Sequence, residues 1–350
     1  MPETFVVDGS PAEFRPGESV LEAARRAGAA IPTLCYDPRL DAAGSCRLCL
    51  VLADGRPAAA CALPAQPDMQ VTTRDAALDG YRRTLLEMVL SENPDDCPKC
   101  EQLGPCELHS LAEEYGARAG RFGGGVRSGE AKADDNPFII RDYSRCIYCY
   151  RCTRICGDVE MAHAIVPIGR GFETKIATAF DGGLKESPCT FCGQCVQTCP
   201  TGALFDKKMF GRAKAEEVTR VPTVCNFCGT GCGINLHVAG GEVIGTTPDF
   251  AAPANEGALC VKGQFAWDFI HSPDRLTTPL IKSGGRFREA NWDEALDLIA
   301  SRFRDIKERH GPDAFCLWAS SRTVSEANYL FQKLARAVIG TNNVDNCART

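Results

Sequence analysis

The sequence lacks any run of about 18 apolar residues, so nothing in it crosses a bilayer unaided and a membrane link would need a partner. It lacks a basic excess: 39 Lys and Arg face 45 Asp and Glu, for a net charge of −6. That balance gives no sequence-wide footprint for nucleic acid and disfavours zinc-finger DNA binding. Its first residues, Met1 to Gly9, carry neither the basic segment nor the apolar stretch of a secretory leader. A secreted disulfide scaffold is therefore the weaker reading of this chain, and a cytoplasmic location the stronger.

What the sequence does have is cysteine, 21 in 350 residues. In a reducing compartment, thiols at short regular spacing are metal ligands, because Cys-x-x-Cys lets two thiolates of one turn reach the same ion or cluster.

The chain is long enough for several domains. Thr4 to Val7 reads as a strand, Asp8-Gly9 as a turn, and Gly17 to Ala24 as the start of a helix ending near Gly28. Leu78, Tyr81, Leu85, Met88 and Val89 recur at helical spacing over residues 76–91. Ala117 to Gly125 and the polar residues up to Asn136-Pro137 read as a flexible linker. Two similar cysteine runs, at 146–156 and 189–199, form an internal repeat. Ile234 to Val238, Gly240-Gly241 and Glu242 to Ile244 read as a hairpin. Asn291 with Glu294 suits a capping box, and Trp292, Ala295, Leu296, Ile299, Phe303 and Ile306 make one helical stripe. Ala314 to Trp318 reads as a buried strand, and Ser325 opens another helix, which promises an α/β domain.

The cysteines fall into five frames. The first is Cys35, Cys46, Cys49 and Cys61, which by spacing alone suits either one 2Fe-2S centre or a structural zinc. The second, Cys97, Cys100 and Cys106, supplies three thiolates. The third and fourth, Cys146-x2-Cys149-x2-Cys152-x3-Cys156 and Cys189-x2-Cys192-x2-Cys195-x3-Cys199-Pro200, are the bacterial ferredoxin run. In that run the last cysteine of each half ligates the other half's cluster. One 4Fe-4S cluster then takes Cys146, Cys149, Cys152 and Cys199, and its neighbour takes Cys189, Cys192, Cys195 and Cys156. The fifth frame is Cys225, Cys228, Cys232 and Cys260, followed by Val261, Lys262 and Gly263. Cys316, in an apolar segment, reads as a small core residue, and Cys347 is unassigned.

Flanking residues carry a family resemblance. Val20 to Ala24, Ile31 to Tyr36 and Cys46-Arg47-Leu48-Cys49 resemble the β-grasp 2Fe-2S domain that opens complex I large subunits, iron hydrogenases and NAD-linked formate dehydrogenases. The second frame resembles the three-cysteine, one-histidine 4Fe-4S site of those families. The histidine position there holds Asn93 here, which leaves Asp95, Asp96, His109 or no ligand at all as the fourth. The fifth frame, with Trp267 to Phe269, Pro273 to Leu280 and Trp292 to Leu296, resembles the N-terminal 4Fe-4S segment of bis-pterin molybdenum and tungsten oxidoreductases. That resemblance makes Lys262 the residue that helps electrons pass between cluster and pterin.

Together these imply an α+β multidomain chain. Its expected parts are a β-grasp 2Fe-2S domain (1–78), a small helical three-cysteine 4Fe-4S domain (79–120) and a two-cluster ferredoxin domain (137–212). A molybdopterin oxidoreductase 4Fe-4S segment (218–274) and the truncated α/β start of the bis-pterin catalytic domain (275–350) complete it. Complex I large subunits lack the full eight-cysteine repeat, and iron hydrogenases follow it with other motifs. The whole order resembles the catalytic subunit of a cytoplasmic formate dehydrogenase. It implies one 2Fe-2S and three to four 4Fe-4S clusters, a molybdenum or tungsten bis(molybdopterin guanine dinucleotide), and formate as substrate. It also implies NAD- and FMN-binding and 2Fe-2S partner subunits. The implied route runs from Lys262 through the fifth frame, the ferredoxin pair and the second frame to the 2Fe-2S centre. No catalytic ligand is expected within the chain. A segment like Asn342 to Thr350 leads, in that family, to the metal-binding cysteine or selenocysteine, so residue 351 is expected to be that ligand and the 350 residues inactive alone. A standalone electron-transfer protein, or a hydrogenase- or complex I-related large subunit, is the alternative.

Overall fold

The computed structural model describes residues 3–93, 106–123 and 136–348. It divides into two compact units, Met1–Val218 and Thr219–Thr350.

The first unit opens on β1 (Glu3–Val7) and β2 (Ser10–Phe14), joined at Asp8-Gly9 with both residues at positive φ, 48° and 81°. That is the tight hairpin turn the Asp-Gly pair favours. Ser19 caps α1 (Val20–Arg26) through a capping box with Glu22, and Val20, Leu21, Ala23 and Ala24 face the core. β3 (Leu50–Ala53), β4 (Arg56–Ala59) and β5 (Gln70–Thr72) complete a mixed sheet of order β2-β1-β5-β3-β4, with β1 and β5 parallel. Phe5, Val7, Phe14, Leu21, Val51 and Val71 fill the core, and Cys49 and Cys61 are part of it.

Asp75 caps α2 (Ala76–Leu90) by accepting from the Leu78 amide at 2.7 Å. The helix lies where the periodicity put it but is rotated from the expected face. Tyr81 and Met88 are each 51% exposed, while Leu78, Arg82 and Leu86 are buried. Arg82 causes the difference. Its Nε donates to the Leu48 carbonyl (3.2 Å), and its Nη2 donates to those of Leu50 and Thr73 (2.8 Å each). Three carbonyls at the ends of the interior strands β3 and β5 demand donors, and a long planar guanidinium on the helix supplies them. Leu86 meets Leu34, Leu48, Leu108 and Ala112, so α2 and α3 (Glu107–Glu114) share a core with the first cysteine frame. The expected linker is packed at its start. Ala117 is buried, and Arg121 pairs with Glu87 at 2.7 Å.

The antiparallel pair β6 (Ile139–Arg141) and β9 (Leu204–Asp206) closes the ferredoxin-like part. Between them lie α4 (Arg151–Arg154), which continues as a wide helical turn over Ile155–Val159, the hairpin of β7 (Val166–Ile168) and β8 (Lys175–Ala177), and α5 (Gln194–Thr198).

The second unit begins with an antiparallel sheet of β10 (Thr219–Val224), β11 (Gly233–Ala239) and β12 (Glu242–Pro248). The expected hairpin is β11 and β12, and β10 is an addition to it. α6 (Val261–Phe265) follows Cys260, and β13 (Leu280–Ser283) pairs with β14 (Arg286–Glu289). Asn291 caps α7 (Trp292–His310) by accepting from the Glu294 amide, but the Glu294 carboxylate turns to Arg288, so only half of the capping box forms. β15 (Leu317–Ala319) runs parallel to β16 (Val344–Asn346), with α8 (Ser325–Lys333) between them in sequence.

Two expectations fail in this segment. No residue of α7 is buried, so its apolar stripe is not a core face here. The strand expected to be buried has Trp318 80% exposed, and Cys316 is exposed rather than a core residue. A two-stranded sheet and a short helix are too small a layer to cover a 19-residue helix.

Replacing Arg82 with Met leaves three buried carbonyls short of donors. Urea denaturation of the full chain is expected to show a loss of about 3 kcal/mol, whereas an exposed substitution such as Arg83→Met costs under about 1 kcal/mol.

Candidate metal centres

Nineteen cysteines lie among the described residues, and none of these forms a disulfide. In the first frame they stand as two pairs. Cys49 and Cys61 bring their sulfurs to 3.4 Å, and the Cys46 amide reaches the Cys35 sulfur at 3.5 Å. Two thiolates at about 2.3 Å on one tetrahedral ion stand roughly 3.7 Å apart. Two such pairs therefore suit two irons with two thiolates each. The hydrogen bond shared with Cys46 holds the Cys35 thiol down to about 5 and pushes that of Cys46 up. That between Cys61 and Cys49 holds Cys49 to about 7 and raises Cys61. Each pair thus shares a proton that a bound cation would release.

The ferredoxin run is crossed. Cys146, Cys149, Cys152 and Cys199 line one cavity with Tyr143 and Ile176. Cys156, Cys189, Cys192 and Cys195 line another with Ile139 and Leu184. The geometry follows from matched backbone strain. Tyr148 and Tyr150 have φ of 52° and 58°, and Phe191 and Gly193, at the same places in the other half, have 54° and 75°. Left-handed conformations at bulky residues cost about 1 kcal/mol or more and persist where a site requires them. Here they turn amides toward sulfur, as when the Phe191 amide donates to Cys189 at 3.4 Å. Arg47, between Cys46 and Cys49, does the same in the first frame, at φ 58°.

Burial drives the thiols of this region upward, Cys149 to about 12 and Cys192 to about 11, and it raises Cys152 and Cys195 too, where neighbouring cysteines add like charge. Four thiolates cannot share such a cavity without cationic compensation. Among the described residues no three His, Cys, Asp or Glu side chains converge tightly enough for a single ion. Four cysteines around each cavity supply the all-sulfur donor set that a 4Fe-4S cluster would take.

In the second unit, burial raises Cys225 and Cys232, while Cys260, Cys228 and Lys262 all lie close enough to act on Cys225. Cys228 is held low, first by its hydrogen bond with Thr230. Cys225, Lys262 and Arg275 line one cavity of about 320 Å³ with Phe227, Trp267 and Phe269. Gly263 allows the close approach. A Cβ there would meet Leu259 Cδ2 at 3.3 Å and the Cys225 sulfur at 3.8 Å.

Cys97, Cys100, Asp95 and Asp96 lie outside the described residues. Cys106 caps α3, and its sulfur approaches the Pro200 carbonyl at 3.7 Å. The Asn93 amide donates to the Leu90 carbonyl at the end of α2. His109 is half exposed and meets Glu113 at 3.3 Å. Cys347, unassigned in sequence, sits against Ser321 and Ser320, whose hydrogen bonds lower its thiol to about 7. Motif and spacing do not single out Asp37, Arg151 or Thr198, which the structure joins beside these frames. The available signal is their position, since each is a polar residue within two places of a frame cysteine.

These thiol frames define a multi-cluster iron–sulfur protein, and comparison with known proteins gives its kin. The 2Fe-2S iron-sulfur cluster binding domain matches residues 2–76, and the NADH-ubiquinone oxidoreductase-G iron-sulfur binding region matches 82–121. The ferredoxin-like domain of NADH-quinone oxidoreductase subunit 3 matches 136–205, so the eight-cysteine run does not by itself separate the chain from that group. The molybdopterin oxidoreductase Fe4S4 domain matches 218–272, and the molybdopterin oxidoreductase family matches 275–350. The NADPH-Fe(3+) oxidoreductase subunit alpha of Geobacter sulfurreducens is 36% identical over 348 residues, 99% of this chain and 40% of that protein. Staphylococcus aureus proteins provisionally named formate dehydrogenase are 32% identical over 100% of this chain and 39% of theirs. The chain thus spans about 40% of the length of these curated relatives. A solved structure of an NAD+-reducing [NiFe]-hydrogenase is similar at 39% identity and a TM-score of 0.56, over 60% of this chain and 90% of that one. The chain belongs to the molybdopterin oxidoreductases with iron–sulfur domains, the group related to formate dehydrogenase and to the cluster-bearing part of NADH-quinone oxidoreductase. Its matched domains are those of one 2Fe-2S and several 4Fe-4S clusters. Among the described residues no helix is long and apolar enough to cross a membrane.

The crossed cavities predict which substitutions act alike. Cys199→Ala and Cys146→Ala are expected to abolish the same reduced-cluster signal in electron paramagnetic resonance, with a loss of about four irons each, while Cys156→Ala abolishes the other.

Proposed function

We propose that the chain is the electron-transfer portion of a cytoplasmic formate dehydrogenase, which passes electrons from formate oxidation to an NAD-reducing partner. The observation that carries the reading is the cavity shared by Cys225 and Lys262, in a chain whose first unit gathers further cysteine frames around two cavities and two thiol pairs. In this reading Cys35, Cys46, Cys49 and Cys61 hold the 2Fe-2S centre. Cys146, Cys149, Cys152 and Cys199 hold one 4Fe-4S cluster, Cys189, Cys192, Cys195 and Cys156 the next, and Cys225, Cys228, Cys232 and Cys260 a third. Cys97, Cys100 and Cys106 contribute to a fourth. When bound, such clusters supply one-electron carriers whose potentials respond to hydrogen bonds and burial.

The chain's own residues set those conditions. Backbone amides at Leu34, Phe191 and Ala164 donate to cysteine sulfur at 3.3 to 3.4 Å, which favours the more reduced state. Apolar walls of Ile139, Ile176 and Leu184 exclude water from the cavities. Lys262 sets a positive charge beside Cys225 on the side lined by Arg275, which suits an anionic bis-pterin guanine dinucleotide of molybdenum or tungsten. The domain ranges proposed are those expected from the sequence, from the β-grasp domain at 1–78 to the catalytic start at 275–350.

The Geobacter relative supports a second reading, in which NADPH is the electron donor. Adding formate or NADPH anaerobically to the complete enzyme with its partner subunits separates the two. The first reading expects formate to bleach the visible cluster absorbance. It expects Lys262→Ala to slow that bleaching by roughly tenfold or more while dithionite still reduces every cluster. Bleaching by NADPH with none by formate overturns it.

A further inference from the structure

A polar chain, buried at its middle and exposed at its Glu107 end, runs between the cysteine frames of the first unit. The Thr198 hydroxyl donates to Asp37 Oδ2 at 2.6 Å and accepts from Arg151 Nε at 3.0 Å. Arg151 Nη1 reaches both oxygens of Glu107 at 3.0 and 3.1 Å. Asp37 takes a two-pronged pair from Arg39, through Nε at 3.0 Å and Nη2 at 2.8 Å. Arg39 Nη1 also meets Gln194 Oε1 at 3.4 Å, and Gln194 Nε2 donates to Glu160 at 2.8 Å. Asp37, Thr198, Gln194 and Arg151 are all buried.

The sequence positions give this chain its meaning. Asp37 stands two residues after Cys35, Glu107 follows Cys106, Arg151 precedes Cys152, Gln194 precedes Cys195, and Thr198 precedes Cys199. Each link is therefore held, through one or two peptide units, to a frame cysteine: Asp37 to the first frame, Glu107 to the second, Arg151 and Thr198 to one ferredoxin cavity and Gln194 to the other. A second tie joins the same places. The Glu107 amide donates to the Pro200 carbonyl at 3.0 Å, beside the contact of the Cys106 sulfur with that carbonyl. Contacts between ordinary adjoining domains are wetter and replaceable by water. Here the central hydroxyl has one donor role and one acceptor role, both filled by charged partners inside the protein. Both carboxylate oxygens of Asp37 are thus held, by Nε and Nη2 of Arg39 and by the Thr198 hydroxyl.

We propose that the Arg39–Asp37–Thr198–Arg151–Glu107 chain is a positioning strut. It fixes the 2Fe-2S frame against the Cys146–Cys199 frame and so sets the separation of their centres. The inference rests on the reading that these frames hold clusters. Asp37, Thr198 and Arg151 touch no reacting group and act through the cysteines beside them.

The test uses the full 350-residue chain with its clusters assembled and fully reduced, and reads the magnetic splitting between the 2Fe-2S signal and its 4Fe-4S neighbour. Thr198→Val keeps the side-chain shape and removes the hydroxyl, whereas Thr198→Ser keeps the hydroxyl. The strut predicts that the splitting of the unaltered chain persists in Thr198→Ser and is weakened or lost in Thr198→Val, with iron content unchanged. A Thr198→Val spectrum superimposable on that of the unaltered chain overturns it, as does an unaltered chain showing both signals and no splitting. If Thr198→Val fails to take up iron, Asp37→Asn carries the same readout. A weakened splitting there supports the strut, and an unchanged one overturns it. An unaltered chain that binds no iron refutes the proposed function and not the strut alone.

Discussion

Gathering thiols in a low-dielectric interior is the constraint from which the rest of this structure follows. A buried thiol resists ionising, and every further thiolate brought near it raises that resistance, as the upward shifts of Cys149, Cys152 and Cys195 express. Three features offset it. Left-handed residues such as Tyr148, Tyr150 and Phe191 bend the backbone so that amides face sulfur. Buried arginines, Arg82, Arg141 and Arg151, bring positive charge into the same interior. A bound cationic core would complete the balance, so in this account folding and cluster loading are linked. The first frame shows the limit case, since Cys49 and Cys61 belong at once to a metal centre and to the β-sheet core.

Much of this was legible because cysteine spacing is a direct image of cluster geometry. The x2-x2-x3 run predicts a crossed pair, and each cavity is lined by three cysteines of one half with the last cysteine of the other. Local turns were equally readable. Asp8-Gly9 and Gly240-Gly241 fall where positive φ is required, and Ser19 with Glu22 forms its capping box. The face of α2 was not readable, because periodicity counts apolar residues and Arg82 is the residue that the ends of β3 and β5 demand. The strut was invisible for a related reason. Its hydrogen bonds join Asp37 to Thr198 across 161 positions and Arg151 to Thr198 across 47. Polar residues beside a cysteine look like solvent-facing ones until the domains are assembled.

The second unit teaches the opposite lesson. There the hydrophobic pattern was read correctly as helix and strand, and burial was then inferred from it. α7 forms with its Asn291 cap, but Trp292, Leu296, Ile299 and Phe303 remain exposed. Amphipathic periodicity specifies what a helix would bury, and the covering layer must come from elsewhere. The Phe303 and Phe315 rings, 5.0 Å apart and edge to face, are a small part of that layer. The four-cysteine frame of the same unit is less dependent on such cover, because β11, β12 and α6 frame the cavity of Cys225 and Lys262 locally.

The central claim is that these frames hold iron–sulfur clusters and not zinc or disulfides. Metal analysis with Mössbauer spectroscopy on the anaerobically purified full chain tests it most directly. The account predicts roughly 14 to 18 irons per chain, one 2Fe-2S centre with three to four 4Fe-4S clusters, and no stoichiometric zinc. A colourless chain carrying zinc, or one whose frame cysteines are joined as disulfides, would contradict it.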